Sequence, residues 1–181
     1  YSANKSATIV GGSDFTIALK ADGSVWTWGD NSSDQLGRST ADTIGMVSIA
    51  EDVMYIAAGK NSAYAVTYKK NADGSEESKL YAWGDNTYGQ LGNDKTTATI
   101  STPVHVKSSD GTYLTGISMV SGGANHVIAM SNTNDIYAWG DNSKAQYHEV
   151  ANTHVANKIT DKDSLNPEND DVFTSFSRVT A

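Results

Sequence analysis

The chain has 181 residues, 38% of them hydrophobic and 19% charged, enough apolar material for the core of one ordinary domain. Its formal charge of −8, with no basic cluster larger than Lys69-Lys70, argues against nucleic acid as a partner, because an acidic surface repels a phosphate backbone. The lack of cysteine excludes a disulfide framework and a thiolate metal site, and no apolar run approaches a membrane span, so no membrane insertion is expected.

The chain begins at Tyr1, without Met and without a charged-then-apolar leader, and reads as a piece excised from a longer product. Residues 1–8 are a polar lead-in. Phe15, Ile17 and Leu19 alternate with Thr16 and Ala18, the period of a strand. Ala21-Asp22-Gly23-Ser24 is turn chemistry and Val25 to Trp28 returns, so residues 13–28 predict a hairpin closed by Gly29-Asp30-Asn31. Residues 38–52 connect, with a short strand candidate at Met46 to Ile49. Val53 to Gly59 opens a second unit, in which Ala63 and Ala65 alternate with Tyr64 and Val66. The polar stretch from Tyr68 to Lys79 predicts an enlarged turn protruding into solvent. Thr102 to Val106 predicts an edge strand, since Pro103 cannot donate to a ladder. Ile117 to Val120 leads into Gly122-Gly123 and a strand through Met130, and Asn132 to Asp135 turns into Ile136 to Trp139. Beyond Asn142 the pattern decays into polar, acidic residues 143–171, and Val172 to Ala181 resembles the opening of a further unit.

These segments repeat. Trp28-Gly29-Asp30-Asn31, Trp83-Gly84-Asp85-Asn86 and Trp139-Gly140-Asp141-Asn142 are spaced by 55 and 56 positions. Upstream, Gly12 to Leu19 matches Gly123 to Met130, each glycine lying 16 positions before its tryptophan. In the middle copy Gly59 lies 24 positions before Trp83, so that copy carries eight extra residues. Short strands at this period with no helical stripe predict an all-β chain of β-propeller-type blades, each of four antiparallel strands. The repeats divide at about 9–52, 53–116 and 117–171, with a further one starting at 172–181. Gly11-Gly12, Ala58-Gly59 and Gly122-Gly123 are expected to begin the innermost strands, where only small residues admit close approach, and each tryptophan to fill the gap between neighbouring blades.

At these residues the sequence resembles the regulator of chromosome condensation repeat family, whose repeat runs small-x-Gly-x-x-His-x-x-Ala-Leu, Asp-Gly, aromatic-x-Trp-Gly-x-Asn-x-x-Gly-Gln-Leu-Gly. The second copy keeps Trp83-Gly84, Asn86 and Gly89-Gln90-Leu91-Gly92. The first keeps Ala18-Leu19, Asp22-Gly23, Trp28-Gly29, Asn31 and Gln35-Leu36-Gly37, with Asp34 replacing a glycine. The third keeps His126, Ala129, Trp139-Gly140 and Asn142, while Lys144-Ala145-Gln146-Tyr147 replaces Gly-Gln-Leu-Gly; the family histidine is Phe15 in the first copy and Ser62 in the second. The resemblance implies a seven-bladed propeller in complete members. This chain is then a partial ring of about three blades, a fragment of a larger bacterial repeat protein, or a ring completed by self-association.

No convergent chemistry accompanies the repeats. His105, His126, His148 and His154 lack zinc spacing, and no cofactor or metal is expected. The oxygen-rich run 161–171 reads as a solvated acidic loop, with calcium as its alternative. The resemblance implies a non-catalytic, protein-binding scaffold. Tyr88, Tyr147 and His148 follow the Trp-Gly-Asp-Asn turns and are the expected partner-facing side chains, while the Trp, Gly and Asn of each copy are structural. Alternatives are a carbohydrate-binding surface module, a small-GTPase nucleotide exchange factor and part of a propeller enzyme. The Asn-, Asp-, Ser- and Thr-rich, cysteine-free composition fits a secreted or cell-surface bacterial protein, with the cytoplasm as the alternative.

Overall fold

The computed structural model describes residues 7–39, 44–147 and 151–159. Among these every regular element is a strand. The first sheet runs β1 (Thr8–Gly11), β2 (Phe15–Leu19), β3 (Val25–Gly29) and β4 (Gly45–Val47). The second runs β5 (Val53–Ala58), β6 (Ser62–Lys70), β7 (Glu76–Asp85) and β8 (Thr99–His105). The third runs β9 (Ile117–Gly122), β10 (His126–Ser131), β11 (Ile136–Gly140) and β12 (Thr153–Lys158). Each is a four-stranded antiparallel meander in chain order, as the repeat predicts for a blade.

Strand alternation builds the core between blades. In β2, Phe15, Ile17 and Leu19 turn toward the second blade, where they meet Val53, Ile56, Ala63, Ala65 and Trp83. The opposite face of β6, Tyr64 and Val66, joins Leu80, Leu91 and Leu114 against Val120, Val127, Ala129 and Trp139 of the third blade. The second blade is therefore apolar on both faces, which is why β6 is buried at six successive positions from Ser62 to Thr67.

The first strands come closest to one another. A Cβ at Gly122 would lie 2.7 Å from the Ala58 carbonyl oxygen, and one at Gly59 would lie 2.9 Å from the Gly123 carbonyl oxygen. At the inner turns the Ser13 N–H donates to Lys60 O and the Lys60 N–H to Ala124 O, tying each blade to the next. The small-residue pairs thus stand at the crowded centre, but they end the innermost strands rather than begin them. The reason is the turn that follows: the N–H groups of Gly12, Gly59 and Gly123 bond the carbonyls of Phe15, Ser62 and His126, so the chain reverses at the glycine.

Three further features depart from the sequence reading. Residues 68–79 are not a loop: β6 and β7 continue, with Tyr68 opposite Ser78, Lys69 opposite Glu77 and Lys70 opposite Glu76, and only a short turn at Asp73-Gly74 joins them. The fourth strand of the third blade, β12, lies within the run that reads only as polar and acidic. The 106–116 segment forms a second small hairpin, Lys107 opposite Tyr113, clipped to β12 through Ser108 and Ala156. The acidic run 161–171 and the expected start of a further repeat at 172–181 lie outside the described residues. Among the described residues no helix is long and apolar enough to cross a membrane.

Candidate interaction site

The rim of the arc is formed by the loops that follow β3, β7 and β11, which share one hydrogen-bond scheme. The side-chain carbonyls of Asn31, Asn86 and Asn142 accept the N–H groups of Leu36, Leu91 and Tyr147 at 2.9, 3.0 and 3.0 Å. The side-chain carbonyls of Gln35, Gln90 and Gln146 accept the N–H groups of Ser33, Tyr88 and Lys144 at 2.8, 2.8 and 2.9 Å. Asp30, Asp85 and Asp141 each accept the N–H two residues on. The Ser32 hydroxyl first, and then Gln35, hold the Asp30 carboxyl below its usual range against the opposing effect of desolvation.

Backbone demands explain the glycines. Gly29, Gly84 and Gly140 have φ of +110°, +99° and +94°, and a Cβ there would lie 2.4–2.5 Å from a carbonyl oxygen of the inner turn. The loop's left-handed position is Asp34, Gly89 and Ala145 in the three copies, at φ 61°, 79° and 54°. The first and third copies thus keep the loop conformation after losing the glycine, at the expense of strain.

The first two loops also receive the tryptophan of the next blade. The Trp83 indole N–H donates to Gln35 O at 3.0 Å, and the Trp139 indole N–H donates to Gln90 O at 2.9 Å. Both side chains are fully buried. Gly37 and Gly92 supply the floor: a Cβ at either would lie 2.6 or 2.8 Å from the indole nitrogen of Trp83 or Trp139. Trp28 has the same place in the first blade, but no blade precedes it among the described residues and it is half-buried. The uncovered face continues through Ile9, which is 71% exposed, Trp26 and Met46. The register makes Ile9 the counterpart of Ile56, which is buried between the first two blades.

Of the side chains expected to face a partner, Tyr88 is 39% exposed at the tip of its loop. Tyr147 is not at the surface: it is 5% exposed and its hydroxyl donates to Gly140 O at 2.7 Å. It occupies the position of Leu36 and Leu91, both fully buried, so its ring fills the loop's apolar socket. Burial pushes its phenol pKa up. The same burial removes Tyr147 from any sugar-stacking pair with Tyr88. His148 lies outside the described residues. Among the described residues no group of three or more His, Cys, Asp or Glu side chains is placed to hold a metal ion. Two histidines are instead built into the frame: the His126 ring covers Gly123 as Phe15 covers Gly12, and burial lowers its pKa. His105 stacks between Tyr81 and the exposed Tyr113, with ring centroids 4.3 and 4.7 Å away.

The uncovered face of the first blade is what a partial ring leaves bare. The sequence reading overlooked a cleft beside the long β6–β7 hairpin, whose signal was the eight-residue insertion.

A family model described as "Regulator of chromosome condensation (RCC1) repeat" matches residues 77–130, and a second with the same description matches residues 7–35 and 117–146. Together they cover more than half of the chain. The E3 ubiquitin-protein ligase HERC2 of Homo sapiens is 30% identical over 123 residues, which are 65% of this chain and 2% of that protein. The guanine nucleotide exchange factor SRM1 of Saccharomyces cerevisiae is 27% identical over 138 residues, 71% of this chain and 26% of that one. The solved structure of Prp20p from Saccharomyces cerevisiae, reported with its binding properties to Gsp1p and histones, superimposes with a TM-score of 0.64 at 23% identity over 89% of this chain and 40% of that one, a likeness of fold. The chain therefore spans less than half the length of each of these relatives. With the repeated Trp-Gly-Asp-Asn loops and three matching blades, the chain belongs to the regulator of chromosome condensation (RCC1) repeat family.

Proposed function

We propose that the chain is a non-catalytic protein-interaction scaffold whose rim loops meet a partner protein. One observation carries this reading. The backbone N–H groups of Ser33, Tyr88 and Lys144 are all fixed by a glutamine side chain, while their own side chains are a hydroxyl, a phenol and an ammonium. The loop is thus held constant and its tip is free to vary, which suits recognition on a rigid frame. The names of the relatives support a role among proteins: SRM1 is called a guanine nucleotide exchange factor, and Prp20p was studied for binding to Gsp1p and histones. The test is affinity capture with the full chain as bait, followed by Tyr88→Ala with Lys144→Ala. A stoichiometric partner lost on double substitution, with the circular-dichroism spectrum unchanged, is the expected result; a partner retained unchanged contradicts the reading.

The uncovered face of the first blade supports a further blade seated there, from a longer chain or from a second copy, and sedimentation of the isolated chain at rising concentration distinguishes the two. An exported bacterial setting rests on composition alone, the relatives named above being from human and yeast. Fractionation of the producing cells tests it: recovery in the medium or on the surface supports export, and recovery in the cytosol contradicts it. A second reading, favoured by the likeness to SRM1, is small-GTPase nucleotide exchange. Accelerated release of a fluorescent GDP analogue from a small GTPase by this chain would establish it.

A further inference from the structure

The insertion in the second repeat builds a cleft of about 320 Å³. One wall is the β6–β7 hairpin, through Tyr68, Glu76 and Glu77; the other is the start of β9, through Gly116 and Ile117, and the β10–β11 turn, through Asn132. Met54, a large apolar side chain 38% exposed, lines it as well. The first blade has only a tight turn between β2 and β3, so it raises no such wall.

Three properties of the cleft point to an occupant. Its surface is mostly apolar, and a preformed apolar hollow at the lower end of the ligand-pocket range suits one anchoring side chain. The Tyr68 hydroxyl is shielded from solvent and lies beside the Glu76 carboxylate, which raises its pKa, so the two form one polar corner of the lining. Its charged lining residues are Glu76 and Glu77, with no lysine or arginine among them. Lys79 donates to Glu51 at 2.6 Å and pairs with Glu77 at 3.5 Å, while Lys69 and Lys70 line a separate hollow with Glu51 and Asp52, so that Glu76 is in no ion pair among the described residues.

We propose that this cleft docks a peptide segment of a protein partner, one large apolar side chain seated against Met54 and Tyr68 with an adjacent lysine or arginine paired to Glu76. This rests on the scaffold reading and specifies a surface and partner chemistry for it.

The experiment uses the full chain and fluorescein-labelled heptapeptides with a central Leu, Phe or Trp flanked by Lys and Arg, by Ser, or by Glu, read by fluorescence anisotropy. The basic-flanked peptides are expected to bind best, with affinity falling as salt rises from 50 to 300 mM. The Glu76→Gln variant, altered at the surface, is expected to weaken them about fivefold and to flatten the salt dependence. Met54→Lys, which places a like charge in the hollow, is expected to weaken them more than about tenfold. Urea melts confirm that each variant folds. No binding by any peptide at millimolar concentration, equal binding of the Glu-flanked set, or affinities unmoved by both variants overturns the proposal. Those failures leave the Tyr88 and Lys144 capture result standing, so the cleft and the scaffold reading are judged separately.

Discussion

Replacing each repeat tryptophan by phenylalanine gives three different outcomes, because the three indoles differ in what receives them. Trp83 and Trp139 are fully buried, and losing one ring of the indole from either site leaves a void costing about 1–3 kcal/mol. The hydrogen bond separates them. Gln35 O has the Trp83 indole as its donor among the described hydrogen bonds, whereas Gln90 O also accepts the Tyr64 hydroxyl at 2.9 Å. Trp83→Phe therefore orphans a buried carbonyl and Trp139→Phe does not, a further difference of about 1–3 kcal/mol. Trp28 is half-buried, and Trp28→Phe is expected to cost less than about 1 kcal/mol. The assay is urea unfolding followed by far-ultraviolet circular dichroism, so that removal of a fluorophore does not disturb the signal. The expected order of destabilisation is Trp83→Phe, then Trp139→Phe, then Trp28→Phe. Trp139→Phe as costly as Trp83→Phe would refute the hydrogen-bond argument, and Trp28→Phe as costly as either would refute the assignment of the open face.

The remaining predictions concern backbone and protonation. Gly37→Ala combines a φ of +66° with a contact 2.6 Å from the Trp83 indole nitrogen, while Gly74→Ala has a φ of +86° and open space. In thermal melts the first is expected to be at least about 2 kcal/mol more destabilising than the second. Ala145→Gly relieves a left-handed alanine at φ 54° and is expected to stabilise by about 0.5–1 kcal/mol; Asp34→Gly gains less, because it removes the 2.6 Å bond from the Thr99 hydroxyl. Burial lowers the His126 pKa, so on acidification the unfolded chain takes up the proton first and stability falls as pH drops through the unfolded histidine value of about 6.5. Urea titrations between pH 5 and 7.5 are expected to show a shallower slope for His126→Phe, the residue that the first repeat carries at Phe15; His105, whose pKa burial and then Lys79 also lower, maintains part of the slope.

What the sequence disclosed and what it hid follow from where the constraint lies. The Trp-Gly-Asp-Asn loops were legible because each position meets a backbone demand no other residue type meets as well: a glycine at φ near +100°, an asparagine reaching five residues ahead, an indole reaching the preceding blade. β12 was not legible because it is an outer strand with one buried position, Ala156, and its pairing is mainly backbone. The extension of β6 and β7 was hidden for a related reason. Lys69, Lys70, Glu76 and Glu77 have little strand propensity, and what aligns them is the backbone ladder continued outward from the buried part of the hairpin. Tyr147 misled because the sequence reading sets the third repeat one position out of phase: Ala145-Gln146-Tyr147, not Lys144-Ala145-Gln146, stands where Gly89-Gln90-Leu91 does, so Tyr147 takes a leucine's socket. Of the interaction site, the frame and the exposed Tyr88 were readable and the cleft was not: it needs both the hairpin and the third blade, whose lining residues the sequence separates.

The stacking of each indole onto the preceding blade is tested most directly by hydrogen exchange of the four tryptophan indole N–H groups, followed by NMR on the monomeric chain. Trp83 and Trp139 are expected to exchange slowly, their protons held by Gln35 O and Gln90 O, with Trp26 and Trp28 exchanging fast. Equal, rapid exchange of all four would contradict the blade-on-blade packing on which the rest depends.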